Sequence, residues 1–232
     1  MAVNFAKVDG TSMTIQEAFP YSVGMKKGNI ENGDKIQVQK AVGDGYDIYY
    51  LSDGWFSGRT GSQYYADRDG KWFTGVKTTP ADAVLAPGQA FWYLSKNYET
   101  PFNVTVAGSV ITDVSKEVTI NKEWAHIANP YPVALDLNTD IGYQEGMRKG
   151  NIENGDKIQI PKVGADGYDI YYLSDGWFSG RTGSQYYADR DGKWFTGVKT
   201  TPAVASIPVG MGAWYKRNGD ADFTITIANP VK

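Results

Sequence analysis

Cysteine is absent from the 232 residues. Its absence excludes thiol catalysis, thiolate metal sites and disulfide staples. Histidine occurs once, as His126, and the matching position of an internal repeat described below is Asn4. A catalytic base should not be missing from one of two matching copies, so His126, in the strand-like stretch EWAHIANP, reads as a structural histidine. No apolar run approaches the roughly 20 residues that span a bilayer. The longest basic run is Lys26-Lys27 and the net charge is −3, which excludes the basic stripe that a nucleic-acid surface needs. The opening MAVNFAKVDG has neither a basic n-region nor an apolar h-region, so a secreted protein is expected here in its mature form. P-loop, dinucleotide-binding and Gly-x-Ser-x-Gly signatures are missing. Of the acids Asp47, Asp53, Asp67 and Asp69, Asp53 and Asp69 stand beside glycine, where aspartate makes turns, and no catalytic residue is assigned.

What the chain has is a duplication. The segment Met25–Pro80 returns as Met147–Pro202, 122 residues later and without a gap. Six pairs differ: Lys26/Arg148, Val38/Ile160, Gln39/Pro161, Ala41/Val163, Val42/Gly164 and Gly43/Ala165. The kinship continues more faintly on both sides. Asn4–Gln16 aligns with His126–Asn138, Phe91-Trp92-Tyr93 with Ala213-Trp214-Tyr215, and Phe102–Val106 with Phe223–Ile227 after one deletion. The expected organisation is a module over 1–110, a linker or shared strand over 111–122, and a second module over 123–232. The near-identity of loop letters fits a recent duplication or a surface that both copies present to a common partner.

Short runs rich in Val, Ile, Tyr, Phe and Trp alternate with Asn-Gly, Asp-Gly and Pro-Gly signals, which predicts an all-β fold. Two tandem sandwich- or barrel-like domains are expected, each with at most a short helical turn. Strands are predicted over 3–8, 34–39, 46–51, 70–76, 89–94, 102–106 and 117–120. Ser52–Arg68 is predicted as a long Gly-, Ser- and Tyr-rich connection. The helix candidate is Met13–Phe19, with Ser12 or Thr14 as N-cap, answered by a single turn in Leu135–Ile141. If 111–122 holds a strand, one module has a sheet edge without an in-chain partner, which invites a strand from another molecule.

Two features bear on function. Asp67-Arg68-Asp69-Gly70 and Asp189-Arg190-Asp191-Gly192 have the carboxylate spacing that opens a calcium loop, so Asp67, Asp69, Asp189 and Asp191 are the candidate cation ligands. The remaining oxygens of such a loop are missing from the following residues. The stronger feature is aromatic: Tyr50, Trp55, Tyr64, Tyr65 and Trp72, repeated as Tyr172, Trp177, Tyr186, Tyr187 and Trp194. Adjacent rings in a strand point to opposite faces, so half of them cap cores and half face outward. Outward Tyr and Trp suit both protein contacts and stacking on sugars.

The combination Thr79-Pro80, Leu85-Ala86-Pro87-Gly88-Gln89-Ala90-Phe91-Trp92-Tyr93, Phe102–Val110 and Ala128-Asn129-Pro130-Tyr131-Pro132 resembles repeats of secreted bacterial surface proteins. Module 2 departs from the pattern at Met211-Gly212-Ala213. The resemblance implies a β-rich fold and a secreted or cell-surface setting, and no chemistry. The sequence thus predicts a structural, non-enzymatic surface or filament subunit that binds copies of itself through edge strands and aromatic patches. The alternative is a bivalent carbohydrate-binding, adhesin-like protein, without a cofactor unless the Asp-rich turns take calcium.

Overall fold

A computed structural model describes residues 5–7, 9, 11–41, 44–58, 61–75, 79–86, 89–97, 99–104, 108–109, 111, 113–180, 183–197 and 201–231. The chain divides into two compact units, residues 3–110 and 111–232. The fold is nearly all β, and no sheet closes into a barrel among the described residues.

Unit 1 contains β1 (Met13–Thr14), α1 (Ile15–Ala18), β2 (Lys35–Gln39), β3 (Tyr46–Gly58), β4 (Gly61–Thr74), β5 (Val84–Leu85) and β6 (Phe91–Leu94). Strands β4-β3-β2-β6 form one antiparallel sheet, and β1 pairs with β5 beside it. In β2 the alternation Lys-Ile-Gln-Val-Gln buries Ile36 and Val38 and leaves their neighbours half-exposed, as a strand with one wet face requires. The core behind that sheet gathers Phe5, Ile15, Phe19, Ile36, Leu51, Trp72, Leu85 and Phe91. A fully buried side chain of this size contributes about 1.5–3 kcal/mol.

Unit 2 contains β7 (Ser115–Ile120), β8 (Trp124–Ala128), β9 (Leu135–Asp136), a π-helical turn (Leu137–Ile141), β10 (Lys157–Pro161), β11 (Tyr168–Gly180), β12 (Gly183–Phe195), β13 (Ser206–Ile207), β14 (Gly212–Lys216) and β15 (Phe223–Ala228). Its main sheet runs β12-β11-β10-β14-β8. Against it packs the ribbon β15-β7, whose Ile120, Ile225 and Ile227 enter the same core as Leu173, Trp194 and Tyr215. Residues 111–122, open in sequence between linker and shared strand, therefore belong to unit 2, paired from Phe223↔Ile120 to Ala228↔Ser115.

The helical turns form for local reasons. Thr14 caps α1, accepting from the Glu17 N–H at 3.3 Å, while the Glu17 carboxylate accepts from the Thr14 N–H at 2.9 Å. Residue 136 is aspartate in unit 2, and its Oδ1 accepts from the N–H groups of Asn138 and Thr139. The turn then closes one residue wider, with the Gly142 N–H on the Leu137 carbonyl at 2.9 Å.

One buried carboxylate ties each unit together. Asp34 accepts from the Lys26 N–H (3.0 Å), the Tyr93 O–H (2.7 Å) and the Lys96 N–H (2.6 Å). Asp156 repeats this with the Arg148 N–H, the Tyr215 O–H and the Asn218 N–H. Burial and the adjoining carboxylate raise the Tyr93 and Tyr215 phenols far above their ordinary value.

One expectation is corrected. Ser52–Arg68 is ladder rather than loop, because β3 and β4 continue outward as one long hairpin. Glycines at positive φ, Gly54 (+79°) and Gly70 (+68°), absorb the register shifts around Asp53. The predicted strands 3–8 and 102–106 lie partly outside the described residues. Within them, Ala6 bridges to Ser12, and residues 102–104 are not in a strand.

Candidate functional site: the hairpin aromatic patch

The outer half of the β3–β4 hairpin has two faces, and they have different chemistry. On one, Phe56 lies 5.0 Å from Phe73 and 6.0 Å from Tyr65, with the Arg68 guanidinium 3.9 Å above the Tyr65 ring. Tyr50 joins this ladder 6.1 Å from Phe73, and both are buried. It is a small second core that stiffens the hairpin.

On the other face, Trp55 and Tyr64 stand directly across the ladder, ring centroids 5.5 Å apart and tilted by 48°. They are 56% and 45% exposed, unusual for rings so well supported from below. Gly54 is the reason Tyr64 fits: a Cβ there would lie 2.7 Å from its ring. The Asp53 side chain accepts from the Trp55 N–H at 3.1 Å and fixes the entry to the patch.

Beside these rings lies a charged group. The Asp69 carboxylate is ion-paired with Lys27, whose Nζ lies 2.7 Å from Oδ1, and its Oδ2 accepts from Lys27 Nζ at 2.9 Å and from the Tyr64 O–H at 3.4 Å. This hydrogen bond to Asp69 raises the Lys27 ammonium above its ordinary value. Lys27 Nζ also sits 4.9 Å over the ring of Tyr21, and Tyr21 packs over Gly70, where a Cβ would stand 3.2 Å away. Gln16, Pro20, Tyr21, Lys27, Asp69, Gly70 and Lys71 line a pocket of about 290 Å³.

Unit 2 rebuilds the patch almost atom for atom. Trp177 and Tyr186 are 56% and 45% exposed, 5.5 Å apart and tilted by 49°. Lys149 meets Asp191 at 2.9 Å and lies 4.8 Å over Tyr143, and the Tyr186 O–H reaches Asp191 at 3.4 Å. No family model, curated protein or solved structure matches the chain. The function has to be read from this duplicated surface.

The ten aromatic candidates separate by burial. Trp55, Tyr64, Trp177 and Tyr186 form the exposed pairs. Tyr65 and Tyr187 are half-buried on the opposite face under Arg68 and Arg190, and Tyr50 and Tyr172 are buried there. Trp72 and Trp194 are wholly buried in the cores and present nothing to a ligand. Asp67 and Asp189 are exposed, and they share extended strands, not loops, with Asp69 and Asp191, whose oxygens are taken by lysine. Among the described residues, no three His, Asp or Glu side chains converge into a metal site. His126 packs on Trp214 at 3.7 Å between centroids, and burial lowers it to about 4. Tyr21, Tyr143, Lys27 and Lys149 were missed from sequence. The signal available for the tyrosines was an identical letter at the 122-residue offset within a flank that otherwise differs.

Proposed function

We propose that the chain is a non-enzymatic, two-site carbohydrate-binding protein of the secreted or cell-surface class. The observation that carries this reading is the pair of supported, exposed, tilted rings, Trp55–Tyr64, repeated with matching geometry as Trp177–Tyr186. Rings held in place before binding lose little entropy when a ligand stacks on them. The angle between them gives a shallow wedge suited to the apolar face of a pyranose, and the adjoining pocket adds polar contacts. Two matching weak sites on one chain gain affinity for a multivalent surface by effective concentration alone.

The test is binding to a broad polysaccharide array, comparing the native chain with Trp55→Ala, Trp177→Ala and the double variant. Each single variant should keep solution affinity at its remaining site and lose about 100-fold on an immobilised glycan, while the double variant binds nothing. Unchanged retention of the double variant would overturn the assignment.

Self-association into a filament is the second reading. It is supported by the terminal place of β4 and β12 in their sheets among the described residues, and by the suitability of Trp and Tyr as interface anchors. It predicts concentration-dependent sedimentation that the same double substitution abolishes.

A further inference from the structure

We infer that the pocket beside the unit 1 ring pair, and the matching residues beside the unit 2 pair, accept an anionic sugar unit, carboxylate- or sulfate-bearing, so that the glycan ligands are acidic. This deepens the carbohydrate reading and rests on it. Gln16 lines the pocket, but its amide is used up. Its Nε2 donates to the carbonyls of Trp72 (2.8 Å) and Ala81 (3.2 Å), and its Oε1 accepts from the Trp72 N–H (3.1 Å). Lys27 Nζ lies beside both oxygens of Asp69, and Oδ2 also accepts from the Tyr64 O–H. The Gln16 amide is thus spent within the protein, and the Asp69 carboxylate is neutralised by its ion pair with Lys27.

Donors remain. Lys71 is exposed and has no ion-pair partner among the described residues. Lys27 has ammonium protons beyond the one it donates to Asp69 Oδ2. With two lysines and one aspartate, the pocket is cationic on a chain whose net charge is −3. A charge-assisted hydrogen bond from lysine to a carboxylate or sulfate is about twice as strong as a neutral one. The ring pair alone would take any pyranose, so the pocket supplies the selection.

Unit 2 has the same arrangement. Asn138 replaces Gln16 with its amide likewise engaged, donating to the Ala203 carbonyl at 2.8 Å and accepting from the Trp194 N–H at 2.8 Å. Asp191 is held by Lys149, and Lys193 is exposed like Lys71. The shared donors survive although Pro20 has become Gly142 and Gln16 has become Asn138.

The experiment measures binding of the full chain to polygalacturonate, alginate, unsulfated chondroitin and a sulfated chondroitin. Each is set beside its carboxyl-reduced form, with dextran, mannan and cellulose oligomers as neutral controls. Acidic glycans should be retained, with affinity falling as salt rises. Carboxyl reduction of the unsulfated glycans, or the paired substitution Lys71→Gln with Lys193→Gln, should weaken binding at least 10-fold. Both lysines are exposed, so the variant folds, which its circular dichroism checks. Retention by the sulfated form after carboxyl reduction identifies sulfate as the recognised group, and its loss identifies carboxylate. If neutral or carboxyl-reduced unsulfated glycans bind as tightly, or the lysine variant binds acidic glycans unchanged, the inference falls and the carbohydrate reading stands. If no glycan binds, both fall.

Discussion

Where unit 1 stacks Phe5, Phe19 and Phe91 against one another at 5.2–5.5 Å, unit 2 has Ile127, Ile141 and Ala213. The lost ring volume is made up from elsewhere. Tyr131, at the position of the exposed Asp9, is buried in unit 2 with its O–H donating to the Ile227 carbonyl at 3.0 Å, and the β7–β15 ribbon adds Ile120 and Ile225. Apolar volume is therefore interchangeable between the two cores as long as it is conserved in sum. The polar clamps behave differently. Asp34 and Asp156 keep the same three kinds of donor at nearly the same distances, although Lys96 has become Asn218, because the bond uses its backbone N–H and not its side chain. Gln16 and Asn138 exchange length for the same reach. Directional contacts keep a donor or acceptor of one kind at each place, and filling space does not.

That contrast can be broken at its strongest point first. Asp34→Ala leaves the Lys26 and Lys96 N–H groups and the Tyr93 O–H unsatisfied in the interior, and should cost unit 1 about 3–5 kcal/mol. Asp156→Ala should cost unit 2 the same. Denaturant unfolding followed by fluorescence would then show the affected unit melting first, and clearly unequal costs would refute the equivalence of the clamps.

Acidification should separate the units next. His126 titrates near 4 when folded, against an ordinary value of 6.5. A depressed base is protonated first in the unfolded chain. Stability is therefore complete above about pH 6.5 and declines as pH falls towards 4, by about 2–3 kcal/mol. Unit 1 has Asn4 at this position and lacks that slope. The difference between native and His126→Asn chains across pH 4–7 measures it, and parallel curves would exclude it.

The smallest effect sharpens the comparison at the core tryptophans. Trp72 donates its indole N–H to the Phe19 carbonyl at 2.6 Å, whereas the Trp194 indole has no partner among the described residues, its neighbouring carbonyl of Ile141 accepting instead from Gln144 at 2.7 Å. Trp72→Phe should therefore cost about 1–2 kcal/mol more than Trp194→Phe. Equal melting shifts would show that the two indoles are equally satisfied.

Much of the fold could be read in the letters. Alternation in Asp34–Gln39 predicts β2, and of the two N-cap candidates, Ser12 and Thr14, the structure uses Thr14. The outer hairpin could not be read, because Ser, Gly and Asp in Ser52–Arg68 have turn propensities that cross-strand ring pairs override. Nor could burial be assigned within the Trp-Phe dipeptides. Trp55-Phe56 and Trp72-Phe73 look alike as letters, yet the first tryptophan is exposed and the second is buried, because the glycine bulges between them reset which side each ring faces. Lys27 and Asp69 stand 42 residues apart, and only the pairing of the long hairpin brings them into contact.

The bulges at Gly54 and Gly70 have a further consequence. A terminal strand becomes a template for amyloid-like zipping only when it offers a flat, uninterrupted row of amides. Here the longest outer strands are kinked midway and carry acid and base side chains at the kink. Such an edge disfavours strand-to-strand fusion between crowded molecules and leaves the ring pairs exposed.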